Sequence, residues 1–180
     1  MKKILALLCA MMLLCGAAYA DTCTINYMNR FEIRAELPAG WHYTLIDQND
    51  TQLEGSVLPD SGDPARPEMN ICISFNDSLA GVSSLGQLDA AALESVKASF
   101  SEENAVSFEM IETTSGISLL MVRETGDDQD FLDFYTIWEG HEIDLTLFPG
   151  EGSADHTLTE EQLSTCLEYM RTLEIGPIAE

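Results

Sequence analysis

The chain has 180 residues, of which 31 are acidic and only 8 are lysine or arginine, for a net charge of −23. A surface this negative repels phosphate backbones and anionic headgroups, which sets aside nucleic acids and membrane surfaces as partners. It suits solubility, cations or basic partners, and its plainest meaning is a solvated acidic coat.

Residues 1–20, MKKILALLCAMMLLCGAAYA, have the layout of a secretory signal peptide: Lys2 and Lys3, an apolar run from Ile4 to Leu14, and Ala18-Tyr19-Ala20 as a small-x-small cleavage site. The run is too short to span a bilayer, so no membrane insertion is expected once it is removed. Cys15 before Gly16 invites comparison with a lipoprotein signal. Lipid attachment wants a small residue before the cysteine, however, and Leu14 occupies that place. The reading is cleavage after Ala20 and a secreted or extracytoplasmic protein of bacterial look, without a lipid anchor. Loss of Lys2 and Lys3 takes the charge from −23 to −25 and leaves residues 21–180 as one domain with room for a core. Cys23, Cys72 and Cys166 remain, which permits one disulfide at most and leaves its pairing open. No Cys-x-x-Cys pair points to zinc or redox chemistry.

From Cys23 to Leu37 the residues alternate, with Ile25, Tyr27, Phe31, Ile33, Ala35 and Leu37 on one side, which predicts a single long strand. Pro38-Ala39-Gly40 ends it, because proline fixes its φ and glycine permits the reversal. Strands follow at about 41–47, 52–58 and 69–75, the last two separated by the loop PDSGDPARP. Leu85, Leu88, Ala92, Val96 and Phe100 then recur every three or four residues and predict a helix over 85–101. Strands near 105–112, 116–124, 131–139 and 142–148 are joined by turns too short for parallel crossovers, so they form an antiparallel meander. The segment 116–122 is apolar on both faces and should be central. A last helix begins after Thr159 as N-cap, with Gln162 at capping-box spacing and Leu163, Cys166, Leu167, Met170 and Leu173 as its stripe. Cys166 on that stripe reads as a small hydrophobe.

The expected fold class is α+β: an α/β/α sandwich with a central antiparallel sheet of about seven strands and one main helix on each face. The element order, with the pattern Phe31-x-Ile33-x-Ala35-x-Leu37-Pro38-x-Gly40-Trp41, resembles the PsbP-like fold family and its bacterial secreted members. The resemblance covers most of residues 24–175 and implies a binding or accessory role, since the fold is tied to no single catalytic constellation. It carries over no photosystem or Ran partner.

The chemical motifs in the chain resolve into structural roles. Gly81-Val82-Ser83-Ser84-Leu85-Gly86 misses a nucleophile elbow by one place, and Ser83 or Ser84 is better placed as a helix cap. His141-Glu142 opens like a zinc-protease helix, but Leu145 stands where the second histidine belongs, so His141 reads as a surface hairpin residue. His156 beside Asp155 precedes the last helix as a capping or solvent-facing residue. A calcium loop starting at Asp47 would place Gln52 and Leu58 where glycine and glutamate are required. Asp127, Asp128 and Asp130 form an acidic turn without ligand spacing. Asn49-Asp50-Thr51 and Asn76-Asp77-Ser78 match the glycosylation triplet but carry no weight behind a bacterial leader. No catalytic residue, cofactor site or metal ligand is therefore assigned. Trp138 reads as core, Trp41 as a plug at the end of the sheet, and His42 as exposed on the opposite side. These features point to a secreted, acidic, non-enzymatic domain that binds a protein or other extracellular ligand. The alternatives are an extracytoplasmic hydrolase with a His/carboxylate site assembled in space, and a calcium-binding domain. The oligomeric state stays open.

Overall fold

The computed structural model describes residues 21–60, 66–100, 105–125, 130–150 and 156–178. The leader with Cys15, and Asp127, Asp128 and Asp155, lie outside the described residues.

Alternating sequence yields two meanders. One comprises Trp41–Gln48 (β3), Gln52–Pro59 (β4) and Glu68–Phe75 (β5). The other comprises Ala105–Glu112 (β6), Ser118–Thr125 (β7), Asp130–Trp138 (β8) and His141–Phe148 (β9). Pairing of β5 with β9 joins them into one antiparallel seven-stranded sheet, in the order β3-β4-β5-β9-β8-β7-β6. These boundaries lie within two residues of the sequence expectation. The strand over 118–125 stands second from the edge rather than centrally, although Leu119, Leu120 and Val122 are fully buried on its two faces.

The expected long strand over 23–37 is instead two strands, Asp21–Tyr27 (β1) and Phe31–Leu37 (β2), folded into a hairpin. Met28 and Asn29 both take positive φ, 51° and 56°, and the Arg30 amide donates to the Tyr27 carbonyl at 2.8 Å. Asparagine tolerates this backbone region, whereas methionine does so against steric preference. The three-residue connection keeps Tyr27 opposite Phe31 and Ile25 opposite Ile33, so the apolar residues stay in phase through the turn. With Glu174–Gly176 (β10), which pairs with β2, the hairpin makes a separate three-stranded sheet.

Two helices accompany the sheets. Ala90–Ser99 (α1) starts later than the sequence periodicity suggests, behind a 3-10 turn at Leu85–Gln87. Its cap is Asp89, whose carboxylate accepts from the Ala92 amide at 2.8 Å. Ser84 precedes the 3-10 turn without a side-chain capping bond, so neither Ser83 nor Ser84 caps the helix. Glu160–Met170 (α2) starts where expected. Thr159 Oγ1 accepts from the Gln162 amide, and Gln162 Oε1 accepts from the Thr159 amide, a complete capping box.

The side chains of the large sheet divide between two cores. On the inner face Leu53, Ile71, Phe134, Ile143 and Leu145 meet Tyr27, Phe31 and Ile33 of the small sheet and Leu163, Cys166 and Met170 of α2. That layer is therefore a small sheet plus a helix rather than a helix alone. On the outer face Leu120, Val122, Tyr135 and Ile137 pack against Leu85, Leu93, Val96 and Phe100. No side chain of α1 itself is fully buried. Gly55 is required in the interior of β4, because a Cβ there would overlap the ring of Tyr43 on β3.

Candidate functional site

Most residues singled out by sequence prove to be architectural. His42 is exposed, as expected, and its Nδ1 lies 2.6 Å from Asp60 Oδ1. His156 is exposed in a left-handed conformation, φ 50°. The turn asparagines are engaged locally: Asn49 Oδ1 accepts from the Gln52 amide, and Asn76 Oδ1 from the Ser78 amide. All three described cysteines are free thiols. Burial pushes Cys166 up to about 12, which removes it from nucleophilic chemistry. Among the described residues, no group of three or more His, Cys, Asp or Glu side chains is placed to hold a metal ion.

His141 is not the surface residue the turn suggested. Glu139 and Gly140 form the two-residue loop, both with positive φ, so His141 is already the first inward residue of β9. It is 4% exposed and enclosed by the rings of Tyr27, Phe31 and Phe75, with centroids 5.0, 5.3 and 5.1 Å away. Arg30 Nη1 approaches its Nε2 at 3.4 Å. A guanidinium can only donate, which assigns the ring proton to Nδ1, facing the carbonyls of Trp138 and Glu139 at 3.2 and 3.1 Å. This histidine locks a hairpin.

Two regions have unusual chemistry. The first is an acidic band on the outer face, where the pairings Glu54–Cys72, Cys72–Asp144 and Asp144–Tyr135 run across four strands. Asp133 sits opposite Thr146 and diagonally from Asp144. Burial raises the Asp144 carboxyl to about 7, with the charges of Asp133 and Glu142 adding to the effect. Its Oδ1 is buried and has no hydrogen-bond partner. Burial likewise raises Asp133 to about 6, opposed by a hydrogen bond with Thr146. Tyr135 donates to Glu142 Oε1 at 2.8 Å, and burial plus this bond push its hydroxyl far above the usual tyrosine range. The sequence assigns no role to Asp133 or Asp144, and Glu142 enters only through the rejected zinc motif. Asp144 alternates like any solvent-facing residue, and only the apolar setting of Asp133 (Phe131-Leu132-Asp133-Phe134-Tyr135) signals burial.

The second region is a groove of about 420 Å³ at the end of the inner face, between β2, the sheet and α2. Its floor is Val57, Met69, Leu147 and Met170, and its walls include Pro38, Trp41 and Tyr169. Trp41 is half-buried, packs against the main core and also lines the groove. The expected sheet plug is thus a groove wall. Arg66 and Glu161, both exposed, stand at the mouth. Beneath lies an apolar void of about 20 Å³ that shares Leu37, Val57, Met69 and Met170 with the groove. Neither Asp133 nor Asp144 lines the groove, the void or the open crevice beside Arg30.

No protein-family model matches the chain, and no curated protein is significantly similar to it. No helix among the described residues is long and apolar enough to cross a membrane.

Proposed function

We propose that this is a secreted, acidic, non-enzymatic binding or accessory domain, and that its ligand seats in the groove at Trp41. The observation that carries the reading is the half-buried tryptophan lining a cleft of about 420 Å³ with a mostly apolar floor. That size and character suit a ligand site, and an aromatic wall offers large contact area at low entropic cost. The PsbP-like reading rests on the sequence pattern from Phe31 to Trp41 and the element order read with it. The leader supports export.

A hydrolase would need titratable groups with shifted pKa inside a cleft. The raised carboxyls and the groove instead lie on opposite faces of the sheet, as the alternation of Asp144 with Leu145 and Leu147 along β9 requires. That separation favours binding over catalysis.

The test uses Trp138→Phe, which leaves Trp41 as the only reporter, and extracellular fractions from the native source. A saturable change in Trp41 emission that Thr165→Phe abolishes is expected. Thr165 is an exposed groove residue on α2, so the larger ring obstructs the cleft without entering the core. An emission change that survives Thr165→Phe, or none in any fraction, would overturn the reading.

A further inference from the structure

We propose that the groove holds a single-chain amphiphile whose head carries both a positive and a negative charge, its hydrocarbon chain laid on the apolar floor. The inference rests on the groove being the binding site.

The first observation is the apolar floor. Val57, Met69, Leu147 and Met170 line the groove, and none of them carries a hydrogen-bonding side chain. A peptide segment pressed onto that floor would leave the backbone groups that face it unpaired, at a cost comparable to lost hydrogen bonds. A hydrocarbon chain has no such groups, and a cleft of about 420 Å³ has room for one.

The second observation is charge at the mouth. The side chains of Arg66 and Glu161 form no ion pair or hydrogen bond with each other or with another described residue. A purely anionic head meets Arg66 but also Glu161 and the field of a chain with net charge −23. A purely cationic head is drawn by Glu161 and by that same field, but at the mouth it also meets the Arg66 guanidinium. A head with both charges answers both side chains. Because both are exposed, each contact contributes modestly, and the chain supplies most of the affinity.

The experiment is calorimetric titration of the folded protein with alkylphosphocholines of six to twelve carbons, each below its micelle concentration. One-site binding is expected, tightening about fourfold per added methylene. Laurate and dodecyltrimethylammonium should each bind about two- to fivefold more weakly than dodecylphosphocholine. Glu161→Gln should remove the penalty against laurate, and Arg66→Gln the penalty against the cationic surfactant. Thr165→Phe should weaken binding at least about tenfold with an unchanged melting temperature. Affinity independent of chain length, or binding that persists in Thr165→Phe, overturns the proposal as surfactant adsorbed elsewhere. If no amphiphile binds while the Trp41 response to extracellular fractions remains, the amphiphile falls and the groove reading stands. If both are absent, both fall.

Discussion

The groove at Trp41 and the acidic band at Asp144 occupy opposite faces of one sheet, and each has what the other lacks. The groove offers concave apolar surface and an aromatic wall, but its buried thiol is held inert at about 12. The band offers two carboxyls raised to about 6 and 7 and a tyrosine bonded to glutamate, but it lines neither the groove, the void nor the crevice beside Arg30. Shifted pKa values therefore do not by themselves locate a site. Here they record carboxylates desolvated within the outer face of β8 and β9, away from the groove.

The comparison can be sharpened first at the groove floor. Leu147 is 2% exposed and belongs to both groove and core, so Leu147→Ala should cost about 2–5 kcal/mol in urea unfolding. Thr165→Phe at the rim should cost less than about 0.5 kcal/mol, because the added ring displaces no core atom. Equal costs would mean that rim and floor are not distinct.

The acidic band predicts a pH dependence of opposite sign to ordinary carboxylate stabilisation. Asp133 and Asp144 titrate higher in the folded chain than in the unfolded one, so folding takes up protons between about pH 4 and 7. Their contribution is complete below the unfolded value and is lost as pH rises through 6 and 7. Asp144→Asn should therefore flatten the decline and stabilise the protein at pH 8 by about 2–4 kcal/mol, measured by denaturant titration across pH. Loss of stability in that variant at pH 8 would show that the carboxylate is needed where it sits.

A smaller effect belongs to the helix that flanks the groove. Thr159→Ala removes the capping box of α2 and should lower stability by about 1 kcal/mol, with faster amide exchange confined to the first turn. Exchange spreading to the outer-face strands would contradict the local role.

What was legible in the sequence follows from range. The capping box of Thr159 and Gln162 is a four-residue feature and appears in the structure as read. The alternating strands from 41 to 148 are equally local, and turn residues such as Gly140 punctuate them. The hairpin at Met28-Asn29 was hidden because it contains neither glycine nor proline and preserves the phase of alternation. At three residues, β10 is too short to leave a pattern. His141 misled because a residue beside a turn can already be the first inward position of a strand. The groove draws on segments from Leu37 to Met170, a convergence that no spacing rule encodes. The acidic band was invisible for a related reason: alternation tells which face Asp144 occupies, but not how deeply that face is covered.

The most direct test of the central claim sets the two faces against each other. Wild type, Thr165→Phe and Asp144→Asn, each shown to be folded, are compared for retention of the same bound component from native extracellular fractions. The component should be retained by Asp144→Asn at wild-type levels and lost from Thr165→Phe. Loss from Asp144→Asn with retention by Thr165→Phe would place function on the acidic face and contradict the account.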